Sequence, residues 1–182
     1  RSGMWRWVDR LRTMLDLRSV KRFDRFVVLT QEDKQYWGPL KNLRVVPNAN
    51  SFIPTHYADG SAQRVIAVGR LDKQKQFDHL IDIWVKVYNV APQWRLDIYG
   101  QGAQKQYLQQ KIDQLGLADV ICIQDPIHDI DLQYSKSSIL TMTSRYEGLP
   151  MALLEGQACG LALVSYACKC GPKDIIRNNI NG

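Results

Sequence analysis

No stretch of this sequence is apolar for the roughly 18 residues that a membrane-spanning helix needs, and the N-terminus lacks the apolar core of a secretory signal. A spanning protein and an exported one are therefore poor readings, and the cytoplasm is the expected compartment. Cysteine is scarce: Cys122, Cys159, Cys168 and Cys170 are the whole complement of 182 residues and make no disulfide framework. Those in apolar surroundings read as small buried residues. Cys168 and Cys170 are the one close pair, and no His or further Cys stands beside them at zinc-ligand spacing. No GK[ST] phosphate loop occurs, and the turn "GQGAQK" at Gly100 and Gly102 has Lys105 where a dinucleotide fingerprint has its third glycine.

What is present is an ordinary globular composition, 45% apolar and 23% charged. The net charge of +6 is uneven. Residues 1–50 hold eleven Lys or Arg against five Asp or Glu, and the remainder holds thirteen of each. In the basic segment Trp5, Val8, Leu11 and Leu15, less regularly Leu17, fall on one side of a helix, with Arg6, Arg10, Arg18 and Lys21 elsewhere. A solvated helix face accounts for this; an anionic membrane surface bound through residues 1–25, or an acidic ligand, is the alternative. Nucleic acid is disfavoured because the aromatics do not interleave with the basic residues as a stacking platform would.

Along the chain, "RFVVLT" and "LRVVPN" read as strands flanking a short helix, "QEDKQYW". The Asn-, Ser-, Pro- and Gly-bearing stretch after them reads as a linker over 48–62, separating a segment 1–47 from a domain 63–182. From "RVIAVG" onward strands and helices alternate. The pattern predicts a helix with Phe77, Leu80, Ile81, Trp84 and Tyr88 on one stripe, another from about 103 to 115, a short one over 129–136, and one holding Glu155. Such alternation predicts an α/β fold with a doubly wound parallel sheet. Ligands of such sheets bind beyond the carboxyl ends of the strands. A chain that opens inside a helix and stops without a closing one reads as a piece of a larger two-domain protein.

Four strand ends follow. "VGRLDKQK" places Arg70 and Lys75, a planar fork and a point charge, within reach of a phosphate pair, although helix-entry solvation explains them too. Gly100 and Gly102 make a tight turn. Asp129 and Asp131 have the spacing of a divalent-metal motif, and a helix N-cap with a second carboxylate facing the dipole explains it equally well. His128 reads as a loop residue. In "SRYEGLPMALLEGQACG", Glu147 follows a strand, Gly148 permits close backbone approach, and Pro150 suits the first helical turn. The helix N-terminus would then offer the Met151 and Ala152 amides to an anion. Glu155, between Leu154 and Gly156, is costly unless hydrogen-bonded, and vicinal hydroxyls such as those of a ribose would satisfy it. A solvent-facing Glu is the plainer alternative.

"VGRLDKQKQFDHLI", "LDIYGQGAQKQYL", "SRYEGLPMALLEGQACGLALVS" and "CGPKDIIRNNING", in this order over about residues 64–182, resemble the C-terminal half of a family 4 retaining glycosyltransferase (glycosyl transferases group 1), a Rossmann-like half of the GT-B fold. Residues 20–50 resemble the end of that family's N-terminal acceptor domain. The resemblance implies transfer of a sugar, with retention, from a nucleoside-diphosphate donor, UDP favoured, to a growing glycan or lipid-linked acceptor at the inner membrane face, in cell-surface polysaccharide biosynthesis. It implies no metal and no further cofactor. Arg70 and Lys75 would hold the diphosphate with the Met151 and Ala152 amides, Glu155 would bind ribose hydroxyls, and Glu147 would contact the sugar. Gly148 and Leu149, with Gly100 and Gly102, would line the donor, whose base would sit near Asp125 to Ile127. The glycine that usually follows the phosphate lysine is Gln76 here, and none of the three histidines matches the family's histidine near the reacting centre. Without most of an acceptor domain the chain is expected to bind donor with little or no turnover. A non-catalytic α/β nucleotide- or partner-binding module is the alternative class.

Overall fold

A computed structural model describes residues 15–182. Most of the basic amphipathic pattern, Trp5 to Leu11, lies outside the described residues. Contacts divide the chain into two compact units, Arg1–Asn48 and Ala49–Gly182.

In the first unit, residues 15–20 are helical, with Val20 buried and Leu15 exposed. Strands β1 (Phe26–Val28) and β2 (Leu43–Val45) pair in parallel, Phe26 opposite Leu43. Helix α1 (Gln31–Trp37) joins them. Thr30 starts that helix by accepting a hydrogen bond from the Asp33 amide at 3.0 Å, and Glu32 and Asp33 favour its positive end. Gly38, at φ 72°, ends it, and Phe26 meets Trp37 edge to face at 4.7 Å.

The second unit is a five-stranded parallel sheet in the order β5-β4-β3-β6-β7. Its elements alternate: β3 (Arg64–Val68), α2 (Phe77–Val90), β4 (Arg95–Tyr99), α3 (Lys105–Gln114), β5 (Ile121–Gln124), α4 (Ile130–Ser135), β6 (Ile139–Met142), α5 (Met151–Ala158), β7 (Ala162–Ser165) and α6 (Pro172–Ile175). This is the doubly wound sheet expected. Val65, Ala67, Leu96, Ile98 and Ile121 share one face and pack against Phe77, Leu80, Ile81 and Trp84 of α2 and Leu108 and Ile112 of α3. Val65 lies opposite Ile139 in register, so Leu140 points to the other face, where α5 packs. The approach is close because position 156 is glycine: a Cβ there would stand 2.7 Å from Leu140 Cδ1.

The chain winds outward from β3 through β4 to β5 and then crosses to β6 on the other side of β3. The loops after β3 and β6 therefore diverge from adjacent strand ends, which is the switch point where such sheets open a crevice.

Some local expectations shift. The stripe of α2 runs on from Trp84 to the half-buried Val87, whereas Tyr88 is 39% exposed. Helix α3 begins at Lys105, because Gly102 at φ 157° and Gln104 shape a turn in which Gln104 donates its amide to Leu71. Pro150 is the N-cap of α5 and not its first helical residue, with ψ at 101°. Asp129 stands at the N-cap of α4 without a capping bond from its side chain. Cys122 is exposed, whereas Cys159 and Cys170 are buried. Among the described residues no helix is long and apolar enough to cross a membrane.

Candidate functional site

The loop after β3 is shaped by Asp72, whose carboxylate accepts from the Gln74 and Lys75 amides at 3.0 and 3.2 Å. Gln76 then takes a left-handed conformation, φ 52° and ψ 42°, at the N-cap of α2. A side chain is strained there, and a glycine would not be. The Thr143 hydroxyl, at the end of β6, shares its proton between the Lys75 and Gln76 carbonyls at 3.0 and 3.1 Å. Two more bonds tie the loops together, Arg145 N to Gln74 O and Gln74 Nε2 to Tyr146 O, each 2.9 Å.

This clamp brings Lys75 and Glu147 into contact. Nζ lies 2.7 Å from Oε1, with the side chains 16% and 9% exposed. The sequence groups Lys75 with Arg70; the structure turns Lys75 inward onto Glu147 and leaves Arg70 73% exposed, beside Asp72 and Gln74 at 3.3 Å each. Arg70 instead lines an open cleft of about 290 Å3 with Gly69, Tyr99, Gly100, Pro126 and Ile127. Gly100 is required where it is, since a Cβ would overlap the Gly69 carbonyl oxygen of the neighbouring loop. Gly102 lies one turn on, against the Leu71 backbone. Asp125 points to solvent and pairs with Lys105 at 2.5 Å.

Beyond β6, Gly148 is exposed and Leu149 buried, and Met151 and Ala152 open the first turn of α5, half-buried. Glu155 is one turn further in. Its Oε1 accepts from the Ser51 hydroxyl at 2.5 Å and its Oε2 from the Tyr134 phenol at 2.9 Å. Burial, and then the charge of Glu155, push the Tyr134 phenol far above its ordinary range, so it remains a donor. Ser144 is also buried at the end of β6, and its hydroxyl has no hydrogen-bond partner among the described residues. Ser51, Tyr134 and Ser144 escape sequence reasoning. The one signal for the first two is the cost of leaving Glu155 unpartnered, which requires donors without saying which.

No group of three His, Cys, Asp or Glu side chains arranged to hold a metal occurs among the described residues. His79 lies against Gln76 and His56 against Thr55.

A sequence model described as glycosyl transferases group 1 matches residues 52–182. The chain belongs to that family. The chain is 38% identical over 169 residues to the amylovoran biosynthesis glycosyltransferase AmsD of Erwinia amylovora, covering 86% of this chain and 47% of that protein. Its fold is that of the pneumococcal O-GlcNAc transferase GtfA solved with UDP and GlcNAc: TM-score 0.81, 20% identity, 92% of this chain and 35% of that one. It is also that of the C-terminal domain of a glycosyl transferase group 1 family protein from Francisella tularensis, with TM-score 0.61, 21% identity, 71% of this chain and 76% of that one. The fold is thus the Rossmann-like half of a GT-B architecture. The chain spans about half the length, or less, of the curated relatives it matches.

Proposed function

We propose that this chain is the donor-binding half of a retaining glycosyltransferase of cell-surface polysaccharide synthesis, using a nucleoside-diphosphate sugar, UDP favoured, and a glycan or lipid-linked acceptor at the cytoplasmic face of the membrane. The observation that carries the reading is the half-buried Lys75–Glu147 pair at the switch point of the sheet. Two opposite charges partly withdrawn from water at a ligand crevice are stable together and available to a ligand that offers a counterpart to each.

A diphosphate supplies negative charge to Lys75, and sugar hydroxyls supply donors to Glu147. Arg70, exposed at the mouth of the cleft, adds a second cation, and the Met151 and Ala152 amides add donors at the positive end of α5. Gly148 and Leu149 bring the backbone alongside the donor. Gly100 and Gly102 let the loop after β4 close on the loop that carries Arg70, with the base in the cleft near Asp125 and Ile127, and the ribose diol on Glu155. In the transfer the bond from the sugar C1 to the β-phosphate oxygen breaks, and the acceptor oxygen bonds to C1 from the same face. The acceptor proton passes to the leaving diphosphate. Lys75, Arg70 and the helix terminus stabilise the charge that develops on that group, with no metal in the scheme.

Support comes from family membership and from UDP in a relative of the same fold. The test is calorimetric titration with UDP, GDP and ADP, with EDTA and with Glu155→Ala. One diphosphate should bind, unaffected by EDTA, and its binding should be lost in the variant. Absence of binding to all three would end this reading of the chain. A robust transferase rate from these 182 residues would overturn the assignment of acceptor chemistry to the other half.

A further inference from the structure

The two hydroxyls on Glu155 are unlike each other. Tyr134 is fully buried on α4, and its ring stacks on Phe52 with centroids 6.4 Å apart and planes 22° from parallel. Such a ring has no second orientation that keeps its packing, so its hydroxyl is fixed on Oε2. Ser51 is exposed and lies on a segment with neither helix nor strand. Its hydroxyl reaches Oε1 by rotation about one bond, and water can replace that contact at little cost.

We propose that Tyr134 is a positioning residue that pins Oε2 of Glu155, and that Ser51 is a placeholder on Oε1 which a ligand hydroxyl displaces. This rests on the reading of Glu155 as the diol-binding carboxylate. It goes further in dividing the two oxygens between protein and ligand. A carboxylate free to rotate loses orientational entropy when it grips a diol; one already pinned has lost it on folding. Tyr134 thereby sets preference for a ribose over a deoxygenated sugar without touching it. Ser51, by contrast, satisfies Oε1 only while the crevice is empty.

The experiment compares UDP with 2′,3′-dideoxy-UDP by calorimetry in the 182-residue protein, in Tyr134→Phe and in Ser51→Ala. Tyr134→Phe keeps the ring and its stacking. It should lose up to about tenfold in UDP affinity and little in affinity for the dideoxy compound, the loss expected when one side chain must be ordered on binding. Ser51→Ala should bind UDP as tightly as the parent, or about twofold tighter. Equal weakening of both ligands by Tyr134→Phe, or of neither, would overturn the positioning role, and a loss in Ser51→Ala matching that of Tyr134→Phe would overturn the placeholder. If the unaltered protein prefers UDP and Tyr134→Phe keeps that preference, this inference alone fails. If the unaltered protein binds the two compounds equally, or binds neither, the diol reading of Glu155 fails with it.

Discussion

A carboxylate in low-dielectric surroundings is retained only with donors or a cation beside it, and both glutamates of the site follow this rule in different ways. Glu155 is held by hydroxyls, Glu147 by Lys75. The Glu147 pair is buried enough that breaking it on one side leaves a stranded charge. Lys75→Met is expected to destabilise the fold by about 3 kcal/mol, whereas Lys75→Met with Glu147→Leu should recover most of that loss. Urea midpoints of the single and double variants check this, and a double variant as unstable as the single would mean that the pair is a net source of stability and not one kept for a ligand. The sequence made the cost of Glu155 legible but not its partners, because Ser51 and Tyr134 lie 104 and 21 positions away. It likewise tied Lys75 to Arg70 by nearness in one loop, whereas the partner that captures Lys75 is 72 positions on. Spacing along a chain reports local geometry; contacts across a switch point depend on strand order.

At the level of elements, alternation was legible because strands buried in a two-faced sheet are continuous apolar runs, and a helix on one face is an apolar stripe. Helix starts were less so, since they depend on turns. Helix α3 waits for the turn at Gln104, and Pro150 caps α5 where the pattern placed it in the first helical turn. Helix α5 also shows how packing overrides propensity. Alanine is a better helix former than glycine by about 1 kcal/mol, yet at position 156 its methyl would press on Leu140, which is fully buried. Overpacking of this kind costs about 1–3 kcal/mol, so Gly156→Ala should be net destabilising by about 1 kcal/mol. Combining it with Leu140→Val should cost less than the sum of the two single changes, because the second makes the space the first needs. Additive losses in denaturant titrations would place the strain elsewhere than at this α5–β6 contact.

For the molecule as a whole, the buried acids of the second unit set how stability changes at high pH. Burial, followed by the charges of Asp131 and Glu155, pushes the Cys159 thiol from 9.0 up to about 11. Burial also raises the Tyr134 and Tyr99 phenols above their ordinary 10.0. Each group is then neutral in the fold at a pH where the unfolded chain has begun to lose the proton. The unfolded state therefore binds fewer protons, and stability falls as pH rises. What these groups contribute is fully present below pH 9, begins to fade through Cys159 between 9 and about 11, and fades further through the tyrosines above 10. Tyr134→Phe removes one of them. At pH 8 the variant should be less stable by about 1.5–3 kcal/mol, the worth of a hydrogen bond to a carboxylate. As pH rises past 10 the gap should narrow, because only the parent protein then bears the growing cost of keeping that phenol protonated against Glu155. Urea midpoints of the two proteins at pH 8, 9, 10 and 10.5 read this directly, deprotonation of lysines being common to both. A gap that stayed constant would mean that the Tyr134 phenol ionises in the fold as it does in the unfolded chain, and that the contact between α4 and Glu155 is open to solvent.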